Sequence, residues 1–175
     1  MAVKSLHLVS VGPVPPGLLR ELEEPLLTQV QVQATTSRAT LQSPAYAFNK
    51  DRNQYHSNAI MRRLVPMLEG FNFVIGVTAV DLFVPDSPFV FGEADREARV
   101  AVVSIARLKG STEGGDVVKR RAQVETVHQA GHLLGLSYCD DPRCVMFFAT
   151  SVSDCDRKGL ALCNVCRNEL QKLNR

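Results

Sequence analysis

The chain has 175 residues, of which 45% are hydrophobic, and a formal net charge of +2 at pH 7. This length suits one domain, or one domain with a small appendage, and is enough to bury a sizeable core. The small net charge gives no reason to expect nucleic acid or an anionic membrane as a partner. The N-terminal residues alternate like a strand and meet Pro13 before they could form a signal-peptide core, and no apolar run approaches a membrane span. We therefore expect a cytoplasmic protein.

Predicted strands and helices alternate through the first two-thirds of the chain. Apolar and β-branched runs predict the strands, and leucines at helical spacing predict the helices. In chain order the expected elements are a strand at Leu6–Val14, a helix from Pro15 to about Thr28, a strand at Val30–Thr36, a loop at Ser37–Asn53, a helix at Gln54–Leu68, strands at Asn72–Val84, Phe89–Gly92 and Val100–Leu108, and a loop at Lys109–Gly115. Asp116 is then expected to cap a long helix at Val117–Leu134, and a final helix is expected near Asn164–Leu173. This alternation predicts an α/β fold around a mixed sheet.

The long helix carries the segment HQAGHLLGLSYC, from His128 to Cys139. Because residues four apart lie on one face of a helix, His128 and His132 can direct their imidazole nitrogens at one metal ion. Gly135 can adopt the left-handed conformation that ends the helix and returns Tyr138 towards the same ion. This is the spacing of zinc sites of the H-E-x-x-H-x-x-G-x-x-H type. The alternative is a pair of partly exposed histidines on an amphipathic helix.

Two residues of this segment depart from what hydrolysis by such a site needs. The ion acidifies a water and a carboxylate takes its proton, but Gln129 stands in the position of that glutamate and can only orient the water. Tyr138 stands in the position of the third histidine and must lose a proton, from a pKa near ~10, to bind zinc as a phenolate. Glu125 lies on the ligand face and is a candidate substitute ligand or base. The simpler expectation is an exposed glutamate paired with Arg121.

The cysteines are confined to the C-terminal part of the chain, where all five follow residue 138. In a chain without a secretory signal, this clustering favours metal ligation over disulfides. Two close pairs, Cys139 with Cys144 and Cys163 with Cys166, suit a closed four-thiolate zinc site. The alternative is a set of unrelated buried thiols. Cys155 falls outside both pairs and is expected to be a bystander, and the final helix is expected to place N–H groups near the thiolates.

Taken together, these motifs resemble those of the archaemetzincin family of zinc peptidases, whose pattern is H-E-x-x-H-x-x-G-x-x-H-C, then C-x-M, then a distal C-x-x-C. Here the corresponding stretches read HQAGHLLGLSYC, CVM and CNVC, and upstream GVTAVDLFVP, FVFGEA and AVVSIARL also look like the family's strands. The resemblance implies a metzincin-like α/β domain in which His128 and His132 bind a catalytic zinc and Met146 forms the Met-turn beneath it. It also implies that the two cysteine pairs hold a structural zinc, and that a cleft lies under an antiparallel edge strand around Phe89–Ala94.

We accordingly expect a compact single domain over residues 1–175, with a mixed twisted sheet and helices. An α/β part at residues 1–135 would contain the zinc-site helix, and a cysteine-rich zinc subdomain would follow at residues 136–175.

Three functions are open at this point. The first is a zinc metallopeptidase by descent that binds a peptide or protein ligand as a monomer and has little or no peptidase activity, because Gln129 replaces the general base. The second is an active, aminopeptidase-like zinc peptidase in which Tyr138 or Glu125 completes the site. The third is a zinc-ribbon-like module that binds nucleic acid or protein through the basic residues Arg143, Arg157, Lys158, Arg167, Lys172 and Arg175. Acidic residues are interleaved with these, so we expect no nucleic acid partner and no membrane partner.

Overall fold

The computed structural model describes residues 3–110 and 114–175, and within them the chain forms a mixed α/β fold. The strands are β1 Lys4–Val11, β2 Val32–Leu41, β3 Phe48–Asn49, β4 Gln54–His56, β5 Phe73–Thr78, β6 Leu82–Phe83, β7 Gly92–Asp95 and β8 Val100–Ser104. The helices are α1 Leu18–Glu21, α2 Glu23–Val30, α3 Ser57–Leu64, α4 Gly115–Leu134, α5 Val152–Arg157 and α6 Asn164–Leu173.

The main sheet has five strands in the order β2-β1-β5-β8-β7. The first four of these are parallel, and β7 runs antiparallel to β8 at one edge. Every residue of β5 and of β8 is buried, as near-continuous apolar strands are when helices cover both faces of a sheet. A smaller sheet, in the order β3-β4-β6, lies beside it.

Helices cover the two faces of the main sheet and divide the core into two clusters. On one face α2 and α4 pack against the strands and against each other, around buried residues such as Leu8, Ile75 and Val103. On the other face α3 packs its Ile60 and Leu64 against the sheet. Because α4 contacts both β8 and β7, it holds its central residues directly beside the antiparallel edge strand.

Two predicted helices differ from their expected bounds, and the first of them runs on to Val30, which was predicted to begin the next strand. The helix predicted from Pro15 to Thr28 is split into α1 and α2, because Pro25 has no N–H with which to bond the preceding turn. The helix predicted at Gln54–Leu68 begins only at Ser57, since the three residues before it pair as β4. It continues from Val65 to Leu68 as a 3₁₀ turn, around Pro66.

Strand boundaries also differ from those predicted. The β2 strand runs on through Leu41, into the predicted loop, because it pairs along the length of β1. The strand predicted at Asn72–Val84 is divided between the two sheets as β5 and β6. The edge strand lies at Gly92–Asp95, slightly later than the predicted Phe89–Gly92, and β8 ends at Ser104.

Helix ends were predicted with mixed success. Asp116 does not cap α4: Gly114 occupies the N-cap position, without a side-chain hydrogen bond. The predicted loop at Lys109–Gly115 lies partly on residues 111–113, outside the described residues. The final helix is confirmed at Asn164–Leu173.

Of the helices in the described ranges, none is both long and apolar enough to cross a membrane.

Candidate active site and metal centres

Helix α4 places its two histidines so that they face one point. The Nε2 atoms of His128 and His132 lie 3.1 Å apart, with the rings nearly perpendicular at 86°. Zinc–nitrogen bonds of about 2.0–2.1 Å in a tetrahedron would separate two such atoms by roughly 3.4 Å. The pair therefore fits as two ligands of one zinc ion with only a small adjustment.

The other ring nitrogens of the histidines are held by main-chain carbonyls. His128 Nδ1 lies 2.8 Å from the oxygen of Val145, and His132 Nδ1 lies 3.0 Å from that of Leu136. A carbonyl can only accept, so each Nδ1 carries the proton and each Nε2 presents a lone pair. Burial lowers the pKa of both imidazoles, and that of His128, which is also beside Lys158, lies well below its usual value. Both rings are therefore neutral at pH 7, as metal ligation requires.

Tyr138 lies close to the two histidines, as the sequence predicted, but its phenol is in the protonated form that does not suit metal binding. Gly135 ends α4 with a φ of 109°, and the Tyr138 ring centroid then lies 4.6 Å from that of His132 and 5.8 Å from that of His128. The residue is 60% exposed. Partial burial, followed by the negative charge of Glu93, raises the pKa of the phenol. Tyr138 therefore keeps its proton at neutral pH unless a metal displaces it.

A cleft of about 360 Å³ separates the histidine face of α4 from the edge strand. Gln129 and His132 line one side of it, and Gly92, Glu93 and Ala94 of β7 line the other. A Cβ on Gly92 would lie 2.8 Å from the Nε2 atom of Gln129, so a glycine at this position lets the amide fit against the strand. Gln129 can hydrogen-bond a water or a ligand in the cleft, but its amide cannot accept a proton at neutral pH.

Glu125 takes a different position from the one expected. It is buried rather than exposed, and its Oε1 lies 3.0 Å from Nζ of Lys158 and accepts from Sγ of Cys155 at 3.2 Å. Arg121 instead forms a two-pronged ion pair with Asp156 at 2.8 Å. The predicted pairing of Glu125 with Arg121 is therefore wrong, because α5 supplies Asp156 to Arg121, and the residue that follows α5, Lys158, pairs with Glu125. Nothing in the sequence spacing signalled Lys158 as a neighbour of the histidines.

Met146 lies beneath the histidine pair and connects it to the cysteine-rich segment. Its side chain is fully buried, and a Cβ on Gly131 would clash with its sulfur. Its main chain accepts from Cys139 N at 3.0 Å and donates to Sγ of Cys144 at 3.4 Å. This residue therefore packs on the histidine helix with its side chain and on the cysteine loops with its backbone.

The four paired cysteines come together in one group. The sulfurs of Cys139, Cys144, Cys163 and Cys166 all lie within 4.8 Å of one another, and those of Cys139 and Cys163 are 3.8 Å apart. Zinc–sulfur bonds of about 2.3 Å in a tetrahedron require roughly that separation, so the donor set fits one zinc ion. Cys155 lies outside this group, as expected, and is buried beside Glu125.

Main-chain N–H groups point at these sulfurs. The N–H groups of Asp141, Cys163 and Cys166 donate to the sulfurs of Cys139, Cys144 and Cys163, respectively, each at 3.4 Å. The bond from Cys166, in the first turn of α6, lowers the pKa of the Cys163 thiol. Such donors stabilise the thiolate form that binds metal, and this is the arrangement predicted for the final helix.

Comparisons with known proteins relate this chain to zinc peptidases. The profile of Peptidase family M54 matches residues 28–172. An archaemetzincin from Methanocaldococcus jannaschii is 42% identical over 132 residues, which cover 73% of this chain and 72% of that protein. The crystal structure of archaemetzincin from Methanopyrus kandleri matches with a TM-score of 0.87 and 34% identity, over 98% of this chain and 95% of that one. A zinc-dependent peptidase from Methanocorpusculum labreanum matches with a TM-score of 0.86 and 29% identity, over 94% and 99% of the respective chains.

Proposed function

Because the chain belongs to the archaemetzincins, Peptidase family M54, we propose that it keeps the family's peptide-binding cleft but hydrolyses peptides feebly or not at all. The observation that carries this proposal is Gln129, whose amide opens onto the cleft beside His132 where hydrolysis needs a carboxylate. Loss of a general base typically lowers the rate by a factor of ~10²–10⁴.

Two metal centres of different kinds belong to this proposal. The four-cysteine group holds a structural zinc, which ties the loops after α4 to α6. His128 and His132 hold a second zinc, with Tyr138 as a weak third ligand, and this ion when bound supplies Lewis-acid activation of water or of a peptide carbonyl. We expect weaker binding at the second centre, since the phenol must release a proton that a histidine would not carry.

The edge strand is suited to bind an extended peptide by strand addition. Ser104 N donates to Phe91 O at 2.8 Å, so these two residues form a hydrogen-bonded pair between β8 and the residue before β7. In an antiparallel ladder such pairs alternate with pairs that do not bond each other, so the N–H and C=O groups of Gly92 and Ala94 point away from β8. These groups border the cleft and can pair with a peptide chain. The peptide would then pass over Gln129 and the histidine pair.

The test is to measure binding and cleavage together. Zinc-loaded protein is incubated with a peptide library, bound peptides are identified by mass spectrometry, and turnover is followed on the same samples. Binding without turnover supports the proposal. Ala94→Pro removes one outward N–H while remaining compatible with an edge strand, and it should abolish binding, whereas Ala94→Val keeps the N–H and should not. Failure of every library peptide to bind would sink the proposal.

An active peptidase is the competing candidate, and the cleft restricts which residue could act as its base. Glu125 faces Lys158 on the Nδ1 side of His128, whereas Glu93 lines the cleft opposite Gln129. Burial raises the pKa of Glu93 above its usual value, towards that of a working base. Turnover that is sensitive to chelators and lost in both His132→Ala and Glu93→Gln would establish this candidate instead.

A further inference from the structure

Lys158 is an unusual residue because its charged side chain is fully buried, with 0% exposure, immediately after α5. Its Nζ lies 3.0 Å from Glu125 Oε1, 2.7 Å from the oxygen of Phe147 and 3.2 Å from that of Val145. An ammonium group has three protons, and these three acceptors use all of them. Lys158 is therefore completely satisfied by groups of the protein.

The two carbonyls that Lys158 binds flank Met146. The turn around Met146 supports the histidine helix through Gly131, so these two hydrogen bonds fix the main chain on both sides of the residue that packs there. Without Lys158, both carbonyls would lose this donor, and the contact with the Val145 carbonyl is fully buried. The turn would then have to move to reach another partner.

The carbonyl of Val145 is shared between Lys158 and His128. Nδ1 of His128 lies 2.8 Å from this oxygen, and Nζ of Lys158 approaches the same oxygen at 3.2 Å and Nδ1 itself at 3.4 Å. Nδ1 and Nζ both carry protons, so each donates to one of the two lone pairs of the carbonyl. Lys158 thereby fixes the carbonyl that determines the tautomer and the orientation of the His128 ring.

Two ion pairs connect α4 to α5 and to Lys158, the residue that follows α5. Glu125 of α4 neutralises Lys158, and one turn earlier Arg121 of α4 pairs with Asp156 of α5. The polarity of the two pairs is reversed, so a shift of α5 along α4 would bring like charges together. Of these residues only Glu125 contacts Nζ, so the pair of Arg121 with Asp156 limits sliding of the two helices but does not itself hold Nζ.

We propose that Lys158 is a positioning residue for the His128/His132 metal centre: it holds the Val145 and Phe147 carbonyls and, through Val145, aims Nε2 of His128 at the metal. This inference rests on the proposed function in assuming that the two histidines bind a metal. It assigns Lys158 no contact with the metal or with a substrate.

The first experiment measures metal affinity at the histidine pair in Lys158→Met, which keeps the length of the side chain but removes its donors. Zinc is added to protein whose four-cysteine group is already filled, and the second binding event is measured by competition with a chelator. We expect affinity to fall by about 10- to 100-fold, the usual effect of removing a residue that orients a metal ligand. Wild-type affinity in a folded variant would overturn the proposal.

Two further variants separate positioning from general destabilisation. Asp156→Asn breaks the neighbouring ion pair between the same helices but touches neither carbonyl, and we expect it to leave the second affinity unchanged. The double variant Lys158→Met/Glu125→Gln removes both charges and leaves no unpaired carboxylate buried. It replaces the single variant in the measurement if Lys158→Met alone does not fold. We expect this double variant to show the same loss of affinity, and an undiminished affinity would again count against Lys158.

A second readout needs no metal at the histidines. In wild-type protein, the Nδ1–H of His128 should give a slowly exchanging proton signal in nuclear magnetic resonance spectra, because it is buried against Val145. We expect this signal to broaden or disappear in the Lys158→Met variants and to persist in Asp156→Asn. If wild-type protein binds no second zinc, the proposed metal centre fails, but this signal still decides whether Lys158 positions His128.

Discussion

The two candidate metal sites of this chain differ in how complete they are. The cysteine group has four sulfurs within 4.8 Å, whereas the histidine group has two imidazoles and the aromatic ring of Tyr138. The difference follows from what else holds each region in place. Helix α4 is buried against the sheet whether or not its histidines bind metal, but the segment around the cysteines consists of loops and two short helices. We therefore expect the fold to tolerate loss of a ligand at the cleft but not in the cysteine group.

The two groups are nevertheless physically connected. The segment from Cys144 to Met146 supplies a ligand to one group and the packing surface beneath the other. Substituting a residue of the cysteine group should therefore disturb the histidine pair, whereas substituting a histidine should leave the cysteine group intact. The predictions below test this asymmetry.

Loss of one cysteine ligand should have the largest effect. We expect Cys144→Ser to lose the zinc of the cysteine group and the order of the C-terminal third of the chain, because structural zinc contributes directly to folding. Elemental analysis and thermal unfolding should show both losses together. The matched control is Cys155→Ser, which replaces a buried cysteine outside the group and should retain full zinc. Equal zinc loss in both variants would contradict the assignment of ligands.

Restoring the residues that hydrolysis needs should have the next largest effect. We expect Gln129→Glu combined with Tyr138→His to raise the turnover of a bound peptide by about 10²–10⁴-fold, since it supplies a general base and a third imidazole. Tyr138→His alone should tighten the second zinc without raising turnover comparably. The measurement is chelator-sensitive cleavage of a peptide that the wild-type protein binds. No gain in the double variant, with two zinc ions bound, would mean that other features of the cleft prevent catalysis.

Adding a methyl group where Met146 packs against helix α4 should have a moderate effect on stability. We expect Gly131→Ala to lower the free energy of unfolding by about 1–3 kcal/mol, because its Cβ would overlap the sulfur of Met146. Gly115→Ala on the same helix points into open space and should leave stability unchanged or slightly higher. Urea denaturation distinguishes the two. If Gly131→Ala left the free energy of unfolding unchanged, the turn around Met146 would be able to move and accommodate the added methyl group.

The ion pair of Arg121 with Asp156 should give the smallest effect, and one that depends on pH. Hydrogen bonds from Arg121 lower the pKa of the Asp156 carboxyl, so its stabilisation is present above the unfolded-state pKa near ~3.9 and is lost as pH falls through the lower folded value. Because this carboxylate is half-exposed, we expect less than about 1 kcal/mol. Wild type and Asp156→Asn should differ in unfolding free energy at pH 6–7 and converge only at pH values below the lowered folded-state pKa of Asp156. A difference that is independent of pH would rule out this account.

Several features of the fold and of the site could be predicted from sequence because they depend on local periodicity. The i, i+4 spacing of His128 and His132 placed their nitrogens together, Gly135 ended the helix in the left-handed conformation, and the two cysteine pairs converged. The first two depend on the geometry of one helix or turn, and the third was predicted from the short spacing within each cysteine pair, which is typical of zinc ligands. Strand ends were less predictable, since the extension of β2 and the division of β5 from β6 depend on pairing with other strands.

What the sequence by itself determined is the set of chemical groups at the candidate sites: the imidazole pair, the four thiols, and the amide of Gln129 between the two histidines. Only the tertiary structure decided the surroundings of those groups. The i−4 rule paired Glu125 with Arg121, but α5 packs against α4 and brings Lys158 and Asp156 closer. Ligand spacing within a helix is fixed by its 3.6-residue turn, whereas the partner of a buried charge is set by whichever distant segment packs against it.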